Sequence, residues 1–240
     1  MATHHVRLKS RQEIAEGTMA FHFEKPPGFA FKAGQALAWT LIDPPETDDE
    51  GGMRNFSIAS APGEPELMIA TRMRDSAFKR VLKTMPLGTE VRIVGPFGSL
   101  TLHQNGARPA VFLAGGIGIT PFRSMLWQAT EQKLPHRLWL FYSNRRPEDA
   151  AFLEELQELE EENPNYNFIG TMTEMAGSNR VWRGETGFIN QEMLTKSIGD
   201  LAAPIYYVAG PPAMVAVMQE MLIGAGVDND NVRAEEFAGY

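Results

Sequence analysis

The apolar positions of this chain change their period near its middle. In the first half they alternate with small or polar residues. Met19, Phe21 and Phe23 are separated by Ala20 and His22; Leu37, Trp39 and Leu41 by Ala38 and Thr40; Val91 and Ile93 flank Arg92. A period of two sends neighbouring side chains to opposite faces, so these runs predict strands with one buried face, in an antiparallel sheet or barrel. Turn formers punctuate them at Pro26-Pro27-Gly28, Pro44-Pro45, Gly51-Gly52, Pro62-Gly63 and Gly95-Pro96.

After the polar stretch 104–109 the rhythm is different. Residues 110–114, 138–142 and 205–209 are continuous apolar runs, as in strands covered by helices on both faces. Helical spacing lies between them: Phe122, Met125, Leu126 and Ala129; Phe152, Leu156 and Leu159, on a helix expected over 148–162; Val215, Met218 and Leu222. Strand and helix alternate, which predicts βαβ units and a doubly wound parallel sheet. The expectation is a two-domain β + α/β chain, with an antiparallel barrel over 1–105 and an α/β domain over 106–240.

Composition narrows the chemistry. Of 240 residues, 43% are hydrophobic and 22% charged, which fits a globular protein with a sizeable core. The absence of cysteine excludes a disulfide framework, a Cys-ligated zinc and a Cys-held iron–sulfur cluster within the chain. A net charge of -8 argues against nucleic-acid binding. No signal-type segment and no membrane-length apolar run is read, so the expectation is a cytoplasmic monomer without membrane contact. The five histidines show no metal-ligand spacing, and neither a phosphate loop ending in Gly-Lys nor a Gly-x-Ser-x-Gly elbow occurs. No metal site is expected. Charge is uneven: acidic residues crowd 43–50 and 154–162, where solvation accounts for the latter, while 72–83 is basic.

Two turns offer phosphate chemistry. Gly115-Gly116-Ile117-Gly118-Ile119-Thr120-Pro121 follows the first buried run and opens a helix, with Thr120 as its expected cap and Pro121 in its first turn. Glycines admit a phosphate close to the backbone, and a helix N-terminus favours its charge. A bare tight turn without ligand reads equally well from the loop alone. A second turn, Gly210-Pro211-Pro212-Ala213-Met214, follows the last long apolar run. Ligands of open α/β sheets lie at that edge.

Taken in order, Arg54-x-Phe56-Ser57, Gly95-Pro96-x-Gly98, Gly115-Gly116-x-Gly118-x-x-Pro121, Gly210-Pro211-Pro212-x-Met214 and Glu235-Glu236-Phe237 form a series along nearly the whole chain. This series resembles the ferredoxin–NADP reductase superfamily. The resemblance implies a six-stranded Greek-key barrel that binds FAD, followed by an NAD(P)-binding domain. It implies that Arg54 contacts the flavin pyrophosphate, that Phe56 packs on the isoalloxazine, and that Ser57 bonds near flavin N5. Asn55, Thr71 and the stretch Asp75-Ser76-Ala77 would join the flavin contacts, with Ser76 as a helix cap. Gly116, Gly118, Thr120, Pro121, Gly210, Pro211, Pro212 and Met214 would hold the nicotinamide coenzyme. Ser143, Asn144 and Arg145 would approach its adenosine ribose, where Arg145 or Arg146 can hold a 2′-phosphate. Glu235 and an aromatic at the C-terminus, Phe237 or Tyr240, would lie at the hydride-transfer face. The family often has cysteine where this chain has Ala209. Trp182, Gly184 and Gly187 match the NADH-using branch as turn residues.

The implied activity is hydride transfer from NADH or NADPH to FAD, then electron transfer to a separate acceptor such as a small acidic ferredoxin or flavodoxin. The basic stretch 72–83 is a candidate dock for such a partner. Alternatives are a reductase of free flavin and a flavin- or nucleotide-binding regulatory subunit with little turnover.

Overall fold

The structure, a computed structural model, describes residues 2–237. Its first sheet uses β1 (Ala2–Ala15), β2 (Thr18–Glu24), β3 (Ala36–Leu41), β4 (Met53–Ser57), β5 (Glu66–Arg72) and β6 (Glu90–Phe97). They pair antiparallel in the order β4-β3-β6-β1-β2-β5. The expected alternation holds where it was read: Phe21, Phe23, Leu37, Trp39, Val91 and Ile93 fill one core. Helix α1 (Ala77–Thr84) inserts Phe78, Val81 and Leu82 into the same core. The apolar period does not predict β1, because only Val6 and Leu8 of its fourteen residues are buried and most of the rest carry polar or charged side chains.

The second sheet is parallel throughout. It uses β7 (Ala110–Gly115), β8 (Leu138–Asn144), β9 (Tyr166–Met172), β10 (Glu185–Thr186), β11 (Ile205–Gly210) and β12 (Val232–Glu236) in the order β10-β9-β8-β7-β11-β12. Helices α2 (Ile119–Glu131), α3 (Leu153–Glu162), α4 (Gln191–Ile198) and α5 (Pro212–Gly224) cover it. Alternate residues serve opposite faces. Val111, Leu113, Phe141 and Val208 pack with α4 and α5, while Phe112, Ala114, Leu140 and Tyr207 pack with α2 and α3. Each of β7, β8 and β11 is buried on both faces, which explains their continuous apolar runs. The sheet is doubly wound, and its order reverses at β7, between β8 and β11.

The helix expected over 148–162 is shorter. Pro147–Asp149 form a separate 3-10 turn, Phe152 takes a left-handed φ of 60°, and α3 begins only at Leu153. Its acidic residues are not all merely solvated either. Glu148 accepts from the Ser178 hydroxyl and the Asn179 N–H, each at 2.9 Å. Glu155 pairs with Arg123.

Arg123, on α2, is the buried joint between the two sheets. Its side chain is 8% exposed. It donates to the Ala59 carbonyl at 2.8 Å and to Glu64 at 2.9 Å, both in the connection from β4 to β5. Its Nε lies 2.7 Å from Glu155 on α3, whose carboxylate also accepts from Trp127 Nε1. The guanidinium also sits over the Phe152 ring at 5.2 Å. Next to it, the Ser124 hydroxyl donates to the Ser60 carbonyl at 2.7 Å. A second joint ties the connection between the sheets to β11 and β12. Tyr207 Oη accepts from the His103 N–H at 2.8 Å, and Arg233 donates to the Thr101 carbonyl at 2.7 Å. Close approach completes the contact at Gly34, whose φ is +92° and where a Cβ would stand 2.0 Å from the Leu100 carbonyl oxygen.

Among the described residues, no helix is long and apolar enough to cross a membrane. None of them form a group of three or more His, Asp or Glu side chains able to hold a metal.

Removing one partner of a buried ion pair leaves the others uncompensated. Arg123→Ala is therefore expected to lower unfolding free energy by about 3–5 kcal/mol in urea titration. The exposed Lys196–Glu185 pair should contribute under about 1 kcal/mol. Burial pushes the Glu155 carboxyl up, while Arg123 pulls it down. A raised carboxyl stabilises the fold while protonated and loses that contribution as pH rises. The Arg123→Ala deficit should accordingly be larger at pH 8 than at pH 5.

Candidate functional site

The site follows from an unclosed seam. Edge strands β4 and β5 approach without a ladder between them among the described residues, and a cleft of about 490 Å³ opens there. This lies within the roughly 300–1,000 Å³ of ordinary ligand clefts. From β4 come Arg54, Asn55, Phe56 and Ser57; from β5 and the turn into α1 come Thr71, Arg72, Arg74, Asp75 and Ser76. Lys79 reaches in from α1, Ile117 and Thr120 from the turn after β7, and Phe237 from beyond β12.

The cleft combines two kinds of side chain. Its cations are Arg54, Arg72, Arg74 and Lys79. Burial, then the neighbouring Arg74 and Arg54, lower the Lys79 ammonium from its ordinary value. Four cations in one recess disfavour one another unless an anion joins them. Its walls also carry the partly buried Phe56, the buried hydroxyl residue Ser57 and Phe237. A ligand with both phosphates and a flat ring fits this donor set.

An internal carboxylate already satisfies part of that demand. Asp48 accepts from the Ala77 N–H at 2.8 Å, at the start of α1, and from Arg54 at 3.2 Å. The Ala77 bond holds its carboxyl below the usual range, although burial opposes this. Glu50 also lies 2.8 Å from Arg54, whose guanidinium further donates to the Gly51 and Met53 carbonyls. Ser76 does cap α1, accepting from the Lys79 N–H at 3.3 Å. Ala77 itself is buried. The stretch 72–83 is therefore no continuous basic surface. Arg72, Arg74 and Lys79 face the cleft, Arg80 is paired with Glu46 and Asp75, and Lys83 is exposed.

The two glycine turns meet at the carboxyl ends of β7 and β11. Gly116 takes a φ of +52° in a 3-10 turn that runs into α2. Thr120 is not the cap of α2. Gly118 already has helical angles and occupies the cap position, so Thr120 lies inside the first turn and donates to the Ile117 carbonyl at 3.1 Å. Pro121 follows within that turn. A Cβ on Gly118 would stand 2.3 Å from the Ala209 carbonyl oxygen, and one on Gly115 would strike Met214. These glycines thus allow backbone-to-backbone packing of the turns, and Pro211 with Pro212 starts α5. The Phe237 N–H donates to the Gly210 carbonyl at 2.9 Å, which holds Phe237 at the cleft.

Other expected residues lie apart. Glu235 pairs in register with Ala209 and lines a neighbouring cavity of about 610 Å³ with Gly34, Phe97 and Arg233. That cavity includes Ala36, the strand partner of Ser57, and burial pushes the Glu235 carboxyl up. Ser143, Asn144 and Arg145 stand at the end of β8, one strand from the cleft floor. Asn144 is buried with neither amide atom hydrogen-bonded, while Arg145 is exposed. The Trp182 ring is wedged between Gly170 and Gly184, where a Cβ would lie 2.6 and 2.4 Å away. Its role there is structural, as expected of a turn residue. Tyr240 lies outside the described residues. Sequence reasoning assigned no site role to Asp48, Glu50 or Arg233. Their only signal was charge, and its direction depends on tertiary packing.

Comparison with known proteins bears on this arrangement. Residues 112–220 match the family described as Oxidoreductase NAD-binding domain. The chain is 30% identical over 244 residues to Ferredoxin--NADP reductase B of Sorangium cellulosum, covering 96% of each chain. It is 27% identical to the reductase component of propane 2-monooxygenase from Rhodococcus jostii, covering 89% of this chain and 57% of that protein. A ferredoxin NADP+ reductase from Neisseria gonorrhoeae, solved with bound FAD and NADP, superposes with a TM-score of 0.79 at 20% identity, covering 98% of each chain.

Neutralising the internal carboxylate should expose the cationic recess. Asp48→Asn is expected to tighten binding of inorganic pyrophosphate about tenfold in calorimetric titration, because charge-assisted bonds to Arg54 and Ala77 become available. Unchanged affinity would show that Asp48 does not compete for the recess.

Proposed function

We propose, from the premise that this chain belongs to the ferredoxin–NADP reductase superfamily, that it oxidises NADH or NADPH through FAD and delivers the electrons to a separate redox protein. In this reading residues 1–105 bind the flavin and residues 106–240 the nicotinamide coenzyme. FAD, when bound, supplies the hydride-accepting ring and the release of electrons to the next acceptor. The observation that carries the reading is the cleft lined both by Arg54, Arg72, Arg74 and Lys79 and by Phe56, Ser57 and Phe237, which reaches the glycine turn after β7 at Ile117, at the switch point of the parallel sheet.

The chain's own residues then divide the work. Arg54, Arg72, Arg74 and Lys79 hold the pyrophosphate, where guanidinium forks match phosphate oxygens. Phe56 and Phe237 flank the ring, and Ser57 hydrogen-bonds its reacting edge. Gly116, Thr120 and the 210–214 turn would seat the coenzyme against the flavin ring. Buried Ala209 offers no thiol at that turn. Glu235, whose carboxyl burial pushes up, lines the neighbouring cavity. The acceptor is a separate electron-transfer protein, with a small acidic ferredoxin or flavodoxin as the type proposed.

One observation favours a second reading, in which free flavin is a substrate. Asp48 occupies the helix start and the arginine that a tightly held pyrophosphate would use. Desalting separates the two. Retained yellow colour, with bands that bleach on anaerobic NADH or NADPH addition, is expected of the first reading. Loss of colour with retained NAD(P)H:flavin turnover supports the second, and no flavin reduction under either condition sinks both. Arg54→Ala should weaken FAD binding at least about tenfold, measured by fluorescence quenching.

A further inference from the structure

We infer that His103 is a positioning residue with a proton switch: as a neutral imidazole it fastens the connection between the two sheets to β11, and a proton on its Nδ1 unfastens it. The inference goes beyond the reductase reading, and its first test needs no flavin. The connection runs from β6 to β7, and its residues Gly98, Ser99 and Leu100 share the cavity of about 610 Å³ with Arg233 and Glu235 of β12. Tyr207 lies on β11, close before Ala209, and Arg233 on β12, close before Glu235. The ends of the same two strands lead into the 210–214 turn and Phe237. Holding the connection to these strands therefore helps to set how the first sheet meets that turn.

The partners of His103 dictate its tautomer. The Arg108 carbonyl can only accept, so His103 Nε2, 3.1 Å away, carries the ring proton. Nδ1 is then a lone pair, and it accepts from the Tyr207 hydroxyl at 3.0 Å. Burial pushes the Tyr207 phenol up, which keeps that proton on the oxygen. Tyr207 Oη in turn accepts from the His103 N–H at 2.8 Å and from Arg233 at 3.3 Å. Its proton and both lone pairs are thus committed. His136 closes the pocket from the segment before β8. Its Nε2 donates to the His103 carbonyl at 2.8 Å, its Nδ1 is buried without a partner, and its ring stands edge-on to His103 at 4.9 Å.

A proton on His103 Nδ1 would point at an oxygen that already receives two N–H groups. The titratable or charged groups facing the ring are Arg108 of the connection, Tyr207 of β11, Arg233 of β12 and His136, and among the described residues no carboxylate compensates a charge there. Burial, then His136, Arg233 and Arg108, lower the imidazole from its ordinary value, although the bond to the Arg108 carbonyl opposes this. A histidine held below its unfolded value stays neutral in the fold. The joint is therefore whole above about pH 6.5 and loses stability as pH falls below it.

The test follows the imidazole NMR resonances of the full chain without flavin from pH 8 to pH 5. His103→Asn identifies the signal, since asparagine keeps an acceptor near Tyr207 and does not titrate. At pH 8 the His103 ring is expected as the Nε2–H tautomer, with a midpoint below the ordinary imidazole value. Protection of the His103 amide against hydrogen exchange, corrected for the intrinsic rate, should fall at least about tenfold as the ring titrates. From pH 8 to pH 5 the wild type should lose more stability in urea than His103→Asn. In the flavin-loaded protein kcat with NADH or NADPH should fall over the same interval in the wild type and stay flatter in the variant. An Nδ1–H tautomer at pH 8, a midpoint at or above the ordinary value, or amide protection that ignores the titration would overturn the inference, and none of these readings needs the variant to fold. Equal pH profiles of stability or turnover in the two proteins would overturn it as well. If neither coenzyme reduced the flavin while the NMR results held, the reductase reading alone would fail.

Discussion

Two sheets proposed to bind two different ligands are useful only at a defined spacing, and the buried guanidinium of Arg123 joins them. It leaves α2, the helix that the glycine turn opens, and ends on the connection that immediately follows Ser57. The element proposed to cradle one ligand is thereby tied, through one side chain, to the strand proposed to present the other. Removing a charge from water costs several kcal/mol, and only near-complete pairing offsets it. Glu64, Glu155, a backbone carbonyl and two aromatic rings supply that pairing. The arrangement is consequently specific: a shift of the two sheets would strand a buried cation.

The same logic of charge runs through the site. Cations crowd the seam between β4 and β5 because the ligand proposed there is anionic, yet the chain must fold before that ligand arrives. Asp48 and Glu50 ease the repulsion by lying on Arg54 and at the start of α1. The acidic loop and the basic stretch, separate in sequence, are one electrostatic unit. At the far edge Arg146, Asp149 and Glu16 make a second such unit across the two halves. At Arg54 a carboxylate of this chain stands where the proposed anionic ligand group would compete, so affinity there is set by a difference between partners and not by the cations alone.

Much of this was legible in the residues. Alternation at Phe21, Phe23, Leu37 and Trp39 marked strands of the first sheet, and the unbroken runs at 110–114, 138–142 and 205–209 marked the centre of the second. Those signals are strong because burial on one face or two dictates residue type position by position. β1 was invisible because its ladder is made by backbone groups, with only Val6 and Leu8 turned inward. The start of α3 was misplaced because a left-handed Phe152 leaves no mark in hydrophobic spacing. Thr120 read as a cap by type alone, and the helical angles of Gly118 displaced it.

The sequence by itself determined which residue types were present for phosphate and ring binding, because Arg54, Phe56, Ser57 and the glycine turns lie in local runs whose chemistry is short-range. Only the tertiary structure decided which of them face one cleft. It turned Arg72, Arg74 and Lys79 inward, moved Glu235 into a neighbouring cavity, and gave Arg54 and Arg146 carboxylate partners from segments distant in the chain or across a turn. The reason is that charge pairing and burial are set by distances in space. Residues as far apart as Glu16 and Arg146 acquire a common role only once both sheets have formed and met.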